Sequence, residues 1–274
     1  GCQVTLDAGP ACGPVVLLGC GRLGSAILEG WLLTETVRPS DLIILTPSEK
    51  PAAEAARAQG ARINPPLETL RDARCVVVAV KPAIWREALA PLLPHLGEQA
   101  VILSVMAGVT APSLAEGVGS WRIVRVMPTT GVARGRGVAT VYAGDAAARA
   151  LGRALFEPMA VTVDLPDEAA MDAATAVAGS GAAYFYAMTE ALARGGEAAG
   201  LPADTARTLA RATFVAAAES AGDEPLDQLI GRIASPGGST RAGLDVMAEG
   251  GRIDRLMAEV VAAAVRRNRE MGRN

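Results

Sequence analysis

The chain has 274 residues, half of them hydrophobic, and a formal charge of −3; this length exceeds the usual ~100–200 residues of one domain and points to two. No basic run exceeds Arg266-Arg267, and Phe, Trp and Tyr occur only three times each, which excludes the charge footprint and the aromatic platform of a nucleic-acid binder. The longest apolar runs, such as Cys75 to Val80, fall far below the ~20 residues of a membrane span, so a soluble protein with no membrane partner is expected.

In chain order, residues 1–13 lack the basic and apolar segments of a signal peptide and read as a loose leader. Residues 14–165 then alternate short β-branched runs with helical patterns, the signature of βαβ units and a parallel sheet. Strands are expected at Val15–Leu18, Leu42–Leu45, Cys75–Val80, Val101–Ser104, Ile123–Val126 and Val138–Tyr142, and helices at Leu23–Leu33, Lys50–Gln59 and Ile84–Leu92. From Asp167 onward the strand signal gives way to Ala-rich segments with apolar residues at helical spacing, as in Leu256, Val260, Val261, Ala264 and Val265. Breakers at Gly200-Leu201-Pro202, Gly222 to Pro225 and Ser235-Pro236-Gly237-Gly238 divide residues 166–274 into several helices. A boundary near Pro166 follows. So thin a helical domain is expected to bury its apolar faces against a second copy, the alternative being a self-contained bundle.

Cys2, Cys12, Cys20 and Cys75 match no metal or redox spacing. Free thiols in a reducing cytoplasm and no metal centre are therefore expected. The one histidine, His95, follows a predicted helix on the side away from the glycine-rich loop and reads as a surface residue.

Gly19-Cys20-Gly21-Arg22-Leu23-Gly24 stands between an apolar strand and a helix, the context a dinucleotide fingerprint requires. The glycines admit the pyrophosphate to the backbone, and the helix start, with Arg22 and Leu23, offers N–H groups and a positive dipole end. After the second strand, where NAD binders carry an acid, the chain reads Thr46-Pro47-Ser48-Glu49-Lys50. The hydroxyls of Thr46 and Ser48 and the ammonium of Lys50 suit a 2′-phosphate, which favours NADPH, with NADH remaining possible. The same stretch would also serve as an ordinary cap for the next helix. Three further loops are expected on the same sheet edge: Val80-Lys81-Pro82, the segment holding Ala107 and Gly108, and Met127-Pro128-Thr129. Together with the fingerprint they form a candidate cofactor trough.

In the second half, a Pro-Gly-Gly turn in Ser235 to Thr240 leads into an apolar helical pattern. Backbone N–H groups of Gly238 and Ser239 are expected to face outward as an anion nest for a carboxylate, with the Thr240 hydroxyl beside it; a plain helix cap is the competing reading. Gly179-Ser180-Gly181 reads equally as pocket or as helix packing.

The segments AVKP (79–82), SVMAGVT (104–110), RVMP (125–128), AGSGAAY (178–184) and SPGGST (235–240) occur in the order and spacing seen in pyrroline-5-carboxylate reductases, and the chain resembles that family from about Val15 to Arg269. The resemblance implies an α/β fold, with an N-terminal Rossmann-type dinucleotide-binding domain followed by an all-α dimerisation domain. It implies reduction of a small cyclic imino acid, 1-pyrroline-5-carboxylate, to L-proline with NAD(P)H, in a homodimer that assembles further in some members. It also implies that Thr240 contacts the imine nitrogen, that Ser180, Gly181, Ser235, Gly237, Gly238 and Ser239 line the substrate, and that the substrate lies against a partner subunit's helical domain. Two departures stand out: Thr129 where the family carries asparagine, and Ala182 where it carries proline. They keep open a reductase of another imine, such as a piperideine carboxylate, and, from a different class, a catalytically silent nucleotide-binding protein.

Overall fold

The structure, a computed structural model, describes residues 13–119 and 121–271; the expected leader lies, but for Gly13, outside the described residues. Its first half is an eight-stranded sheet in the order β3-β2-β1-β4-β5-β6-β7-β8. The strands are β1 (Val15–Leu18), β2 (Leu42–Leu45), β3 (Arg62–Ile63), β4 (Cys75–Val78), β5 (Val101–Ser104), β6 (Arg122–Pro128), β7 (Gly137–Tyr142) and β8 (Ala160–Asp164). All neighbours run parallel except β6 and β7. The chain reverses direction once, so the carboxyl ends of β1, β2, β4, β5 and β6 share one edge.

Parallel strands buried on both faces read as continuous apolar runs rather than alternating ones. Val15, Leu17, Leu42, Ile44, Cys75 and Val77 face one side, where Ile27, Leu28 and Trp31 of α1 (Arg22–Leu33), the alanines of α2 (Pro51–Ala58) and Leu155 and Phe156 of α5 (Ala146–Phe156) cover them. Val16, Leu18, Ile43, Val76 and Val78 face the other, beneath Trp85 and Leu89 of α3 (Trp85–Leu89) and Leu114 and Val118 of α4 (Ala111–Val118). Trp31, wholly buried, satisfies its indole N–H on the Leu155 carbonyl at 2.9 Å, as a buried Trp must.

Every strand expected from the sequence is present, and two were not anticipated. β3 has only two residues, and β8 turns Val161 and Val163 outward to solvent at 69 and 46 % exposure. The helix expected over Ile84–Leu92 splits into a 3-10 turn at Pro82–Ile84, the short α3 and a second 3-10 turn at Leu93–His95. Pro91, inside the expected span and two residues beyond the end of α3, lacks the N–H that a continuous helix needs.

After β8 come α6 (Met171–Ala174) and a π-helical turn at Thr175–Gly179, then α7 (Gly181–Ala198), α8 (Ala203–Ala221), α9 (Leu226–Ile233), α10 (Ser239–Ala248) and α11 (Arg252–Met271). The compact units divide after Gly179 and again between Ala264 and Val265, so the end of α11 belongs with the sheet. That differs from a boundary at Pro166. The reason is packing: Met171 is buried with its sulfur 3.3 Å from the Thr140 hydroxyl of β7, and Asn268 donates to the Asp172 carbonyl at 3.2 Å.

The helical unit, Ser180–Ala264, has little core of its own. Its buried apolar side chains are small: Ala193, Ala206, Ala210 and Ala234. Phe185, Leu192, Leu209, Leu226, Ile233 and Val246 are more than half exposed. Single exposed apolar residues are unremarkable, but so many on one small unit mark a surface made to be covered.

Candidate active site

The fingerprint loop is built by close approach. Gly19 follows β1 with φ +94° and donates its N–H to the Leu45 carbonyl at 2.9 Å, and a Cβ there would lie 2.8 Å from the Ala79 carbonyl oxygen. At Gly24 a Cβ would lie 2.5 Å from the Gly19 carbonyl oxygen, so glycine is what lets α1 seat against β1. Gly21, the N-cap of α1, is different: beyond its own chain neighbours, nothing stands within 4 Å of where its Cβ would be. The N–H groups of Arg22, Leu23 and Gly24, in the first turn of α1, have no intrahelical acceptor. Open space beside free N–H groups at a helix dipole's positive end fits a pyrophosphate.

The other expected cofactor residues fall on the same sheet edge. Val80, Lys81 and Pro82 follow β4, with Val80 beside Gly19; Ala107 and Gly108 follow β5, where Gly108 takes φ +76°. Met127 and Pro128 end β6. Thr129 is pinned to β7: its N–H donates to the Val138 carbonyl at 2.9 Å and its hydroxyl oxygen accepts from the Val138 N–H at 3.0 Å. The Thr129 hydroxyl proton is still available to a ligand.

At the end of β2, Ser48 is exposed, Lys50 partly so, and the first turn of α2 carries no side-chain cap, with Pro51 at its first position. The Ala52 and Ala53 N–H groups therefore have no side-chain acceptor, but Ala53 is wholly buried and Ala52 nearly so, which leaves the exposed Ser48 and the half-buried Lys50 as the groups this segment offers a ligand. Thr46 needs correction as a phosphate donor. It is 6 % exposed and its hydroxyl donates to the Ser48 carbonyl at 3.0 Å, so it shapes the loop instead. Asp41 lies before β2 in an ion pair with Arg38 at 2.9 Å, away from this edge. His95, in the connection leading into β5, is on the opposite edge too.

Beside Gly108 and Thr110 lies a cleft of about 380 Å³ that includes Arg125, Glu168, Asp172 and Arg269. Burial pushes the Arg125 guanidinium's pKa down, and the carboxylates of Glu168 and Asp172 oppose that. Glu168 also accepts the Ala111 N–H at 2.8 Å, tying the loop after β5 and the start of α4 to the segment after β8. Sequence reasoning missed Glu168, because its partners stand 43 and 57 positions away. Among the described residues, no group of three or more His, Cys, Asp or Glu side chains could hold a metal ion.

In the helical unit the Ser235–Thr240 turn opens α10 as expected. Gly237 takes φ +71° and Gly238 is the N-cap. One detail is corrected: the Gly238 N–H donates back to the Ser235 carbonyl at 3.1 Å and is not offered outward. The N–H groups without intrahelical acceptors are those of Ser239, Thr240 and Arg241, beside the exposed Thr240 hydroxyl. Ser180 lies between the π-helical turn and α7, partly exposed, with Gly181 buried behind it. π turns of this kind recur at functional sites.

Residues 168–271 match the family described as pyrroline-5-carboxylate reductase dimerisation, and residues 14–108 that described as NADP oxidoreductase, coenzyme F420-dependent. Pyrroline-5-carboxylate reductase of Pisum sativum is 35 % identical over 262 residues, 93 % of this chain and 94 % of that one. The Thermus thermophilus enzyme of the same name is 32 % identical over 94 % of this chain and 98 % of its own. Among solved structures, the pyrroline-5-carboxylate reductase of Coxiella burnetii superimposes with a TM-score of 0.85 at 26 % identity, covering 94 % of this chain and 98 % of that one. The Plasmodium falciparum pyrroline carboxylate reductase with NADP bound gives 0.78 at 28 % identity over 96 and 100 %. With a dinucleotide cradle on one sheet edge, a helical unit that lacks its own core, and this identity over nearly its whole length, the chain belongs to the pyrroline-5-carboxylate reductase family.

Proposed function

We infer that the chain reduces the ring imine of 1-pyrroline-5-carboxylate to L-proline with NADPH, as a homodimer. The observation that carries this reading is the pairing, in one member of this family, of a pyrophosphate cradle at Gly19–Gly24 with a Gly-Gly helix start at Ser239 and Thr240. When bound, NADPH supplies a hydride for the imine carbon, and the C=N electron pair moves to nitrogen, which holds a proton from solvent. The protein's part is positioning and charge.

Gly21 and the first turn of α1 hold the pyrophosphate, and Ser48 and Lys50 take the 2′-phosphate. The loops after β4, β5 and β6 line the trough. The N–H groups of Ser239 and Thr240 hold the substrate carboxylate, and the Thr240 hydroxyl bonds the ring nitrogen. Ser180 and Gly181 complete the substrate side. Buried free thiols at Cys20 and Cys75 suit a reducing compartment, the cytoplasm. No helix among the described residues is long and apolar enough to cross a membrane. Assembly of dimers into a higher oligomer is an extension of the same reading.

NADPH oxidation with authentic pyrroline-5-carboxylate tests the reading, run beside a piperideine carboxylate. Proline formation with the five-membered ring as the better substrate is expected. Absence of turnover with both would leave a silent nucleotide binder, and preference for the six-membered ring would move the substrate. Light scattering at low concentration should give a dimer; a folded, active monomer would remove the shared assembly.

A further inference from the structure

The end of β2 is held by a residue that the fingerprint does not include. Asn64 follows β3, extends its ladder through an N–H bond to the Ile44 carbonyl at 2.9 Å, and takes φ +47°. Its side-chain amide then pairs with the backbone of Thr46 in both directions: Oδ1 accepts the Thr46 N–H at 3.0 Å, and Nδ2 donates to the Thr46 carbonyl at 2.8 Å. Thr46 passes the constraint on, its hydroxyl donating to the Ser48 carbonyl at 3.0 Å. Two hydrogen bonds thus run from the Asn64 side chain to Thr46, and a third, from Thr46, fixes the segment that presents Ser48 and Lys50.

The chemistry is specific to this side chain. Bonding the N–H and the C=O of one residue together needs a donor and an acceptor side by side, which the asparagine amide offers whatever the pH. Asparagine is also among the few non-glycine residues that enter left-handed backbone readily. Pro65 follows directly, and a proline disfavours helical backbone in the residue before it. A strained residue that persists is one whose surroundings over-determine it, and such residues gather at ligand clamps.

We propose that Asn64 is a positioning residue for cofactor selectivity: by clamping Thr46 it sets the loop that distinguishes a 2′-phosphate from a 2′-hydroxyl. The proposal rests on the reading that this loop faces the ribose of NADPH. Asn64 acts through the backbone of Thr46 and not by touching the cofactor, so its loss should fall on the phosphate-bearing cofactor alone.

Two variants test it. Asn64→Gly removes the clamp while accommodating φ +47°, and so should fold; Asn64→Asp keeps the acceptor but faces the Thr46 carbonyl with a carboxylate. Dissociation constants of NADPH and NADH are measured on the resting protein, alongside Tm and steady-state kinetics. We expect NADPH to weaken about tenfold in both variants, or ~1.4 kcal/mol, with NADH within about twofold, and the loss to appear in KM for NADPH rather than in kcat. A lowered Tm with both cofactors shifted equally, or not at all, overturns the proposal and leaves Asn64 structural. Ser48→Ala and Lys50→Ala separate the two levels. If they lose selectivity while the Asn64 variants keep it, the clamp idea fails and the cofactor reading stands; if none of the four changes it, both fail.

Discussion

The Glu168 carboxylate lies 3.7 Å from the guanidinium of Arg125, whose side chain is only 4 % exposed. Arg125 Nε finds no hydrogen-bond partner among the described residues, so the charge depends heavily on Glu168 and Asp172. Removing one partner of a buried pair leaves the other charge uncompensated, which costs more than the pair contributes. Glu168→Gln should lose about 3–5 kcal/mol in urea denaturation. Glu168→Gln combined with Arg125→Met should lose clearly less than the sum of the two single variants. Additive losses would mean that the two side chains do not support each other.

The two inner glycines of the fingerprint should separate folding from binding. Gly24→Ala forces a Cβ to 2.5 Å from the Gly19 carbonyl, so it should lower Tm and cofactor affinity together. Gly21→Ala meets nothing within 4 Å beyond its chain neighbours and sits at φ −75°, outside the left-handed region. It should keep Tm within about a degree or two while weakening NADPH at least tenfold, about 1.4 kcal/mol, because only a ligand occupies that space. Unchanged affinity in folded Gly21→Ala would place the pyrophosphate elsewhere.

How much of this was legible follows from the range over which each feature is written. Val15–Leu18, the glycines and the helix behind them are contiguous, and the strand, turn and helix read from them are the β1, loop and α1 of the fold. The edge-strand β8 was missed because Val161 and Val163 point outward, so burial left no periodic mark. The Asn64–Thr46 clamp joins positions 18 apart and requires a left-handed residue that no local pattern announces. The Gly238 N–H was misjudged for the opposite reason: the turn is local, but its hydrogen bond closes back on Ser235. The fold's layers come from local apolar runs. Its polar fastenings come from pairs that only the folded chain brings together.

Cys75, in the middle of the sheet, supplies a pH dependence. Burial pushes its thiol pKa far up, whereas in the unfolded chain it ionises near ~8.5. The native state therefore keeps a proton that the unfolded state releases, so stability is full below about pH 8.5 and falls as pH rises above it, by up to ~1.4 kcal/mol per pH unit. Cys75→Ala should reduce the downward slope of unfolding free energy between about pH 9 and 11, whatever its effect at neutral pH. An identical slope in both proteins would show that the thiol ionises freely in the folded state.

The substrate side turns on Thr240, at the second position of α10 with its side chain exposed. If its hydroxyl bonds the ring nitrogen as hydride arrives, the interaction gains strength as charge changes on that nitrogen, and so acts mainly in the transition state. Thr240→Ala should then lower kcat/KM by roughly tenfold to a thousandfold, about 1.4–4 kcal/mol, with NADPH affinity unchanged because the cofactor is held by the other unit's loops. Thr240→Ser keeps the hydroxyl and should retain most of the activity. A helix-capping role predicts a different pattern, in which alanine lowers stability by the ~1 kcal/mol typical of a lost cap and leaves kcat near its original value. A folded Thr240→Ala protein with near-full kcat would reduce Thr240 to a helix residue, and would leave the Ser239 and Thr240 N–H groups as the only parts of this turn with a role in holding substrate.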